Sequence, residues 1–203
     1  MLQTQTIQPK LLELLKKIMA SSLFEAFNLV GDTSLALQIG HRFSVDIDMF
    51  GNAEIDEIEF IQELSNFGAV TILKKSKNII IFSVDGIKVD FVNYKYPLLD
   101  KLTIIDGIRM VSYKDISAMK LNAIAGIGSK KDFIDLYFLL QKYSLNEMIS
   151  FYTTKYIDGS EFMVLKSLAF FDDAENEEMP IMFENINWNE IKKAILNAEK
   201  NLI

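Results

Sequence analysis

The chain has 203 residues, half of them apolar, with no cysteine, a single histidine and a net charge of −7. That is enough apolar material for one core or two small lobes; it excludes disulfides, thiolate zinc sites, cysteine nucleophiles and multi-histidine metal centres, and leaves any Ser-His-Asp triad dependent on His41. The negative charge argues against bulk attraction to nucleic acid, and with no membrane-length apolar run and no signal-peptide pattern a soluble cytoplasmic protein is expected.

In chain order, Leu11, Leu12, Leu15 and Ile18 recur at helical spacing and predict an amphipathic helix over 8–19. Phe27 to Val30 reads as a strand, Ser34 to Ile39 as a short helix and Val45 to Phe50 as a strand. Residues 55–67 form a helix ended by Gly68. Three strand-like runs follow over 69–74, 78–84 and 86–92, and Asp85-Gly86 is a two-residue hairpin signal. Gly107 to Val111 is a small strand or a connector. Beyond Ser112 the periodicity is helical, over 115–125, 131–142, 146–156, 161–171 and 189–201. The acidic run Asp172 to Glu178 reads as a solvated loop, and Trp188 as a packing anchor. The expected fold is therefore α+β: a mixed α/β lobe over 1–110 followed by a helical lobe over 111–203.

The segment Gly40-His41-Arg42-Phe43-Ser44-Val45-Asp46-Ile47-Asp48-Met49-Phe50 carries the chemistry. Strand alternation turns Asp46 and Asp48 one way, and Val45, Ile47 and Met49 into apolar surroundings. Adjacent carboxylates repel unless a divalent cation lies between them, and Mg²⁺ prefers hard oxygen ligands completed by water and phosphate. In Gly86 to Val92 the same alternation places Lys88, Asp90 and Val92 on one face, so Asp90 joins the pair from a neighbouring strand. Upstream, Gly31 and Thr33 open the short helix, whose first N–H groups suit a triphosphate. Arg42 and Ser44 either form a turn or contact phosphate, and His41 reads as a turn or packing residue.

Gly31-x-Thr33-x-Leu35-Ala36-Leu37, GHRFSVDIDMF, VDFV and KKDFIDLYFLL together resemble the AbiEii/AbiGii-type abortive-infection nucleotidyltransferase toxins of the DNA polymerase beta-like superfamily, over about 27–140. The resemblance implies a polymerase beta-like nucleotidyltransferase lobe and transfer of a nucleoside monophosphate from an NTP to an acceptor such as a tRNA 3′ end. It also implies Mg²⁺ or Mn²⁺ as cofactor and a cognate antitoxin as partner. Asp46, Asp48 and Asp90 become metal ligands and catalytic acids, Gly31 and Thr33 a phosphate cradle, Lys120 a phosphate contact and Asp132 a functional acid reaching the cleft from the helical side. Without the resemblance, Lys120, Asp132 and Asp135 are ordinary helix-surface and first-turn charges. Asp32 stands where the family has Gly or Ser, and Ile127 near a usual arginine. A small-molecule acceptor such as an aminoglycoside, or a non-catalytic binding protein, are the other readings.

Overall fold

The computed structural model describes residues 1–202. They form two compact units, one of residues 1–96 and 102–111, the other of 97–101 and 112 onward.

The first unit is built on a mixed seven-stranded sheet with order β3-β4-β5-β2-β1-β7-β6. Its strands are β1 (Asn28–Leu29), β2 (Ile47–Gly51), β3 (Val70–Ser76), β4 (Ile79–Val84), β5 (Ile87–Asn93), β6 (Thr103–Ile105) and β7 (Ile108–Met110). The helices of this unit are α1 (Pro9–Ala20), α2 (Gly31–Ile39) and α3 (Glu57–Ser65). Alternation decides what each face of the sheet buries. Ile47, Met49, Val89, Phe91, Ile80, Phe82 and Val84 are buried and share the core with Leu11, Leu14, Leu15 and Ile18 of α1 and Phe60 and Leu64 of α3. Phe24, Phe27, Phe60 and Phe91 meet mostly edge to face, with centroids 4.8–5.8 Å apart, a geometry that adds to simple area burial. The intervening residues Asp48, Lys88 and Asp90 are left on the opposite face.

Local chemistry sets the boundaries. Asp56 caps α3, its Oδ1 accepting from the backbone N–H of Ile58 and Glu59. Asp85 and Gly86 both take positive φ (50° and 87°) and join β4 to β5 in register, as the Asp-Gly signal predicts. A second pair, Asp106-Gly107, with φ of 52° and 79°, makes the β6–β7 hairpin. β7 therefore is a true strand, pairing with β6 and, in parallel, with β1. Two expectations change here. Helix α2 begins at Gly31, ahead of the 34–39 run that periodicity marks. β2 begins only at Ile47, so Val45 lies outside the strand and is 48% exposed instead of pointing inward.

The second unit is helical: α4 (Tyr113–Ile127), α5 (Lys130–Leu139), α6 (Leu145–Lys155), α7 (Glu161–Leu168), α8 (Asp172–Glu175) and α9 (Trp188–Lys200). α4 packs against α5, α6 and α7, and α9 against α5 and α7. Beneath α4, Lys155 Nζ donates to Asp115 Oδ1 (2.8 Å) and to the Pro97 carbonyl (2.7 Å), while Asp115 Oδ1 also accepts from Leu99 N. That network ties segment 97–101 to this unit. The run 172–178 is no free loop: α8 occupies its start, Lys130 N donates to Glu177 Oε2, and Glu175 accepts from Trp188 Nε1 and Lys192 Nζ. Trp188 packs on Phe133 and Phe171. Among the described residues no helix is long and apolar enough to cross a membrane.

Candidate active site

The parallel pairing of β2 with β5 sets Ile47 opposite Val89, Asp48 opposite Asp90 and Met49 opposite Phe91. Residues opposed across a ladder point to the same face, about 4.8 Å apart along the hydrogen-bonding direction. Asp48 and Asp90 are therefore neighbours on the face away from the core. Asp46 lies two residues ahead of Asp48, and its charge acts on it.

Three contacts bring the start of α2 to this pair. Val30 N donates to the Asp48 carbonyl (2.9 Å), Thr33 Oγ1 donates to the Asp46 carbonyl, and Thr33 and Ser44 hydroxyls share a 2.8 Å hydrogen bond. Gly31 sits at φ +64°, and a Cβ there would lie 3.0 Å from Asp48 Oδ2. The left-handed φ and this close approach both call for glycine.

The side chains of Thr33, Arg42 and Ser44 are engaged within the protein. Thr33 and Ser44 are buried, with their hydroxyls used on each other and on the Asp46 carbonyl. Arg42 is fully buried, its guanidinium 2.9 Å from Asp32. Asp32 is no N-cap: Val30 holds that place, and Asp32 in the first turn is Arg42's partner. His41 is buried, in keeping with a packing role.

The site is electrostatically crowded. Burial, helped by the charges of Asp32, Asp90 and Asp46, pushes the Asp48 carboxyl up to about 7, against a smaller opposing pull from Lys88. Asp90 Oδ2 is 2.7 Å from the Lys88 ammonium, while Asp90 Oδ1 is buried with no hydrogen-bond partner among the described residues. Among those residues no group of three His, Cys, Asp or Glu is already gathered as a metal chelate. Asp48 and Asp90 share a face, Asp46 lies one residue ahead of β2, and Asp90 is engaged by Lys88. Even so, the donor set suits a divalent cation, being all hard oxygen, mutually repelling and with one buried oxygen unsatisfied.

Lys120 and Asp132 belong to the helical unit and form a cluster of their own. The Lys120 ammonium is 2.9 Å from Asp132 and 2.7 Å from Asp135, and is itself buried. Asp132 Oδ2 also accepts from the Ser129 hydroxyl and backbone N–H. Lys120 is thus buried and held by two carboxylates. Ile127 is exposed.

Two residues were underestimated from sequence. Lys88 shares its face with Asp90 through plain strand alternation, and Asp135 sits at i,i+3 from Asp132, so local signals for both existed. The Asp32–Arg42 pair had no local signal.

Comparison with known proteins identifies the family and relatives of similar fold. Residues 13–103 match the family described as the nucleotidyl transferase AbiEii toxin of type IV toxin–antitoxin systems. The uncharacterized protein aq_aa25 of Aquifex aeolicus is 37% identical over 189 residues, covering 89% of this chain and 90% of that protein. JHP933 of Helicobacter pylori aligns with a TM-score of 0.60 over 95% of this chain and 88% of its own, at 15% identity. MenT4, a nucleotidyltransferase toxin of Mycobacterium tuberculosis, does so with 0.60 over 94% and 81%, at 12% identity; these two share the fold. With a glycine-opened helix against paired acids inside the matched segment, and a near full-length relative, this chain belongs to the AbiEii nucleotidyltransferase toxin family.

Proposed function

We propose that the protein moves a nucleoside monophosphate from an NTP to an acceptor hydroxyl, with Mg²⁺ or Mn²⁺ held by Asp46, Asp48 and Asp90. The acceptor we infer is an RNA 3′ end, such as that of a tRNA, and the activity is restrained by a cognate antitoxin. The register of Asp48 against Asp90, with Gly31 packed on Asp48, carries this reading.

When bound, a divalent cation would offset phosphate charge and lower the pKa of the attacking hydroxyl. The chain supplies the rest. Gly31, lacking a side chain, lets the start of α2 approach the acids closely enough for its N–H groups to face phosphate. The unpartnered Asp90 Oδ1 accepts the proton of the acceptor hydroxyl. The oxygen of the acceptor hydroxyl then forms a bond to the α-phosphorus, the bond from that phosphorus to the bridging α,β-oxygen breaks in line, and pyrophosphate leaves. Arg42 balances Asp32 so that one acid fewer repels the incoming phosphates.

Incubation with each α-labelled NTP, Mg²⁺ and either total RNA or aminoglycosides tests this reading. Label in RNA and release of pyrophosphate are expected, and Asp48→Asn should lower both by at least about a hundredfold, the scale of losing a charge that acts on the transition state. Label in an aminoglycoside would replace the RNA acceptor. No transfer to either would overturn the reading. Growth inhibition on expression, if it stems from this chemistry, disappears in the Asp46→Asn variant.

A further inference from the structure

Four carboxylates, Asp32, Asp46, Asp48 and Asp90, interact around Asp48, with Arg42 paired to Asp32 and Lys88 to Asp90. The two cations are built differently. Arg42 is fully buried on Asp32, with a further bond to the Phe43 carbonyl, and cannot leave without opening the core. Lys88 is 38% exposed, on a flexible four-carbon stem, and lies 2.7 Å from Asp90 Oδ2. It also lowers the cost of charge on Asp48. One cation is enclosed by the core and the other is open to solvent.

We propose that Lys88 is a stand-in cation that competes with the divalent metal for Asp90 and so sets the metal affinity of the site. This rests on the reading of Asp46, Asp48 and Asp90 as the metal site. The geometry requires a choice. An ammonium at hydrogen-bond distance from Asp90 occupies the oxygen and the local charge balance that a divalent cation needs, and the two positive charges repel at such separations. Metal entry therefore moves Lys88 off Asp90, and closing of the third acid onto the pair is coupled to that movement. Lys88 is a positioning residue in this scheme: it acts through Asp90.

The test is direct binding of Mn²⁺ to the whole protein in the absence of nucleotide, read by titration calorimetry and by the electron paramagnetic resonance signal of free Mn²⁺. Lys88→Met should bind Mn²⁺ roughly tenfold more tightly than wild type, since removing a neighbouring unit charge is worth at least that factor near a partly buried site. Lys88→Arg should retain the wild-type affinity. Adding Asp90→Asn to Lys88→Met should abolish the gain. Equal or weaker binding by Lys88→Met, or a gain that survives Asp90→Asn, would overturn the competition. If wild type and Lys88→Met both bind no Mn²⁺, the metal-site reading itself fails. Lys88→Gln, which keeps a polar end on the strand, repeats the measurement should the methionine variant fold poorly.

Discussion

At Asp48 the sign of each neighbour decides the chemistry. Asp32, Asp46 and Asp90 raise its pKa and Lys88 lowers it, so neutralising any one acid changes the charge that the rest carry. Arg42 does this for Asp32 from a fully buried position. Arg42→Met should destabilise the protein by about 2–3 kcal/mol, less than a fully buried pair because Asp32 is partly exposed; urea denaturation measures it, and Asp32→Asn in the same chain should recover most of the loss. Recovery separates an ion-pair role from simple packing of the arginine. Gly31→Ala should cost about 1–2 kcal/mol from the left-handed φ alone, and its Cβ would also press on Asp48 Oδ2. Divalent-cation binding should weaken with it, whereas a variant that lost only stability would detach Gly31 from the site. That Asp48 and Asp90 face the same way from neighbouring strands, with Gly31 close to Asp48, was legible from alternation and spacing; Asp46 lies one residue ahead of β2, where alternation does not reach. The Asp32–Arg42 partnership was not legible: ten residues and a helix separate the two, and nothing in local periodicity reports which buried cation meets which acid.

The elements show the same division between local and non-local signals. Asp85-Gly86 announced its hairpin because both residues tolerate φ > 0. Asp106-Gly107 carries the same signal, yet β6 escaped notice: Thr103–Ile105 is only three residues long, too short for alternation to stand out. Helix ends were blurred wherever the cap, and not the apolar stripe, sets the boundary, as at Ser129 and Asp132 before α5. The partners of Lys120 are hidden for a related reason. Its helix position says nothing of the two carboxylates that α5 delivers to it, and a lysine buried against Asp135 is part of how α4 and α5 hold together. Lys120→Met should therefore destabilise the helical unit by about 3–5 kcal/mol, removing the ammonium that faces the buried Asp135 carboxylate. Asp135→Asn should cost more than Asp132→Asn, because Asp132 is partly exposed and keeps its Ser129 bonds. Circular dichroism during urea unfolding of the three variants checks the order. The reverse order would mean that Asp132, not Asp135, is the main counter-ion of Lys120.

Over the whole molecule the acid face links folding, pH and metal. A carboxyl whose folded pKa is about 7 and whose unfolded pKa is near 4 holds its proton in the native state after the unfolded chain has released it. Between these values the native state binds more protons, so this group's contribution makes stability fall as pH rises, and the penalty is complete above pH 7. Removing the charge removes the slope. In chelator, Asp48→Asn should match wild type near pH 4 and be more stable at pH 8, by roughly 1–3 kcal/mol once the partial exposure of Asp48 is allowed for. A divalent cation has the opposite preference, since it binds the ionised carboxylates. Adding Mn²⁺ should therefore raise wild-type stability most at high pH, by RT ln(1 + [L]/Kd), and flatten the decline, while Asp48→Asn gains little. Thermal unfolding of both proteins from pH 4 to 8, with chelator and with Mn²⁺, gives four curves that must agree. Wild-type stability rising with pH in chelator relative to Asp48→Asn would show that Asp48 is already compensated in the folded chain, and the acid face would then have no excess charge for a cation to relieve.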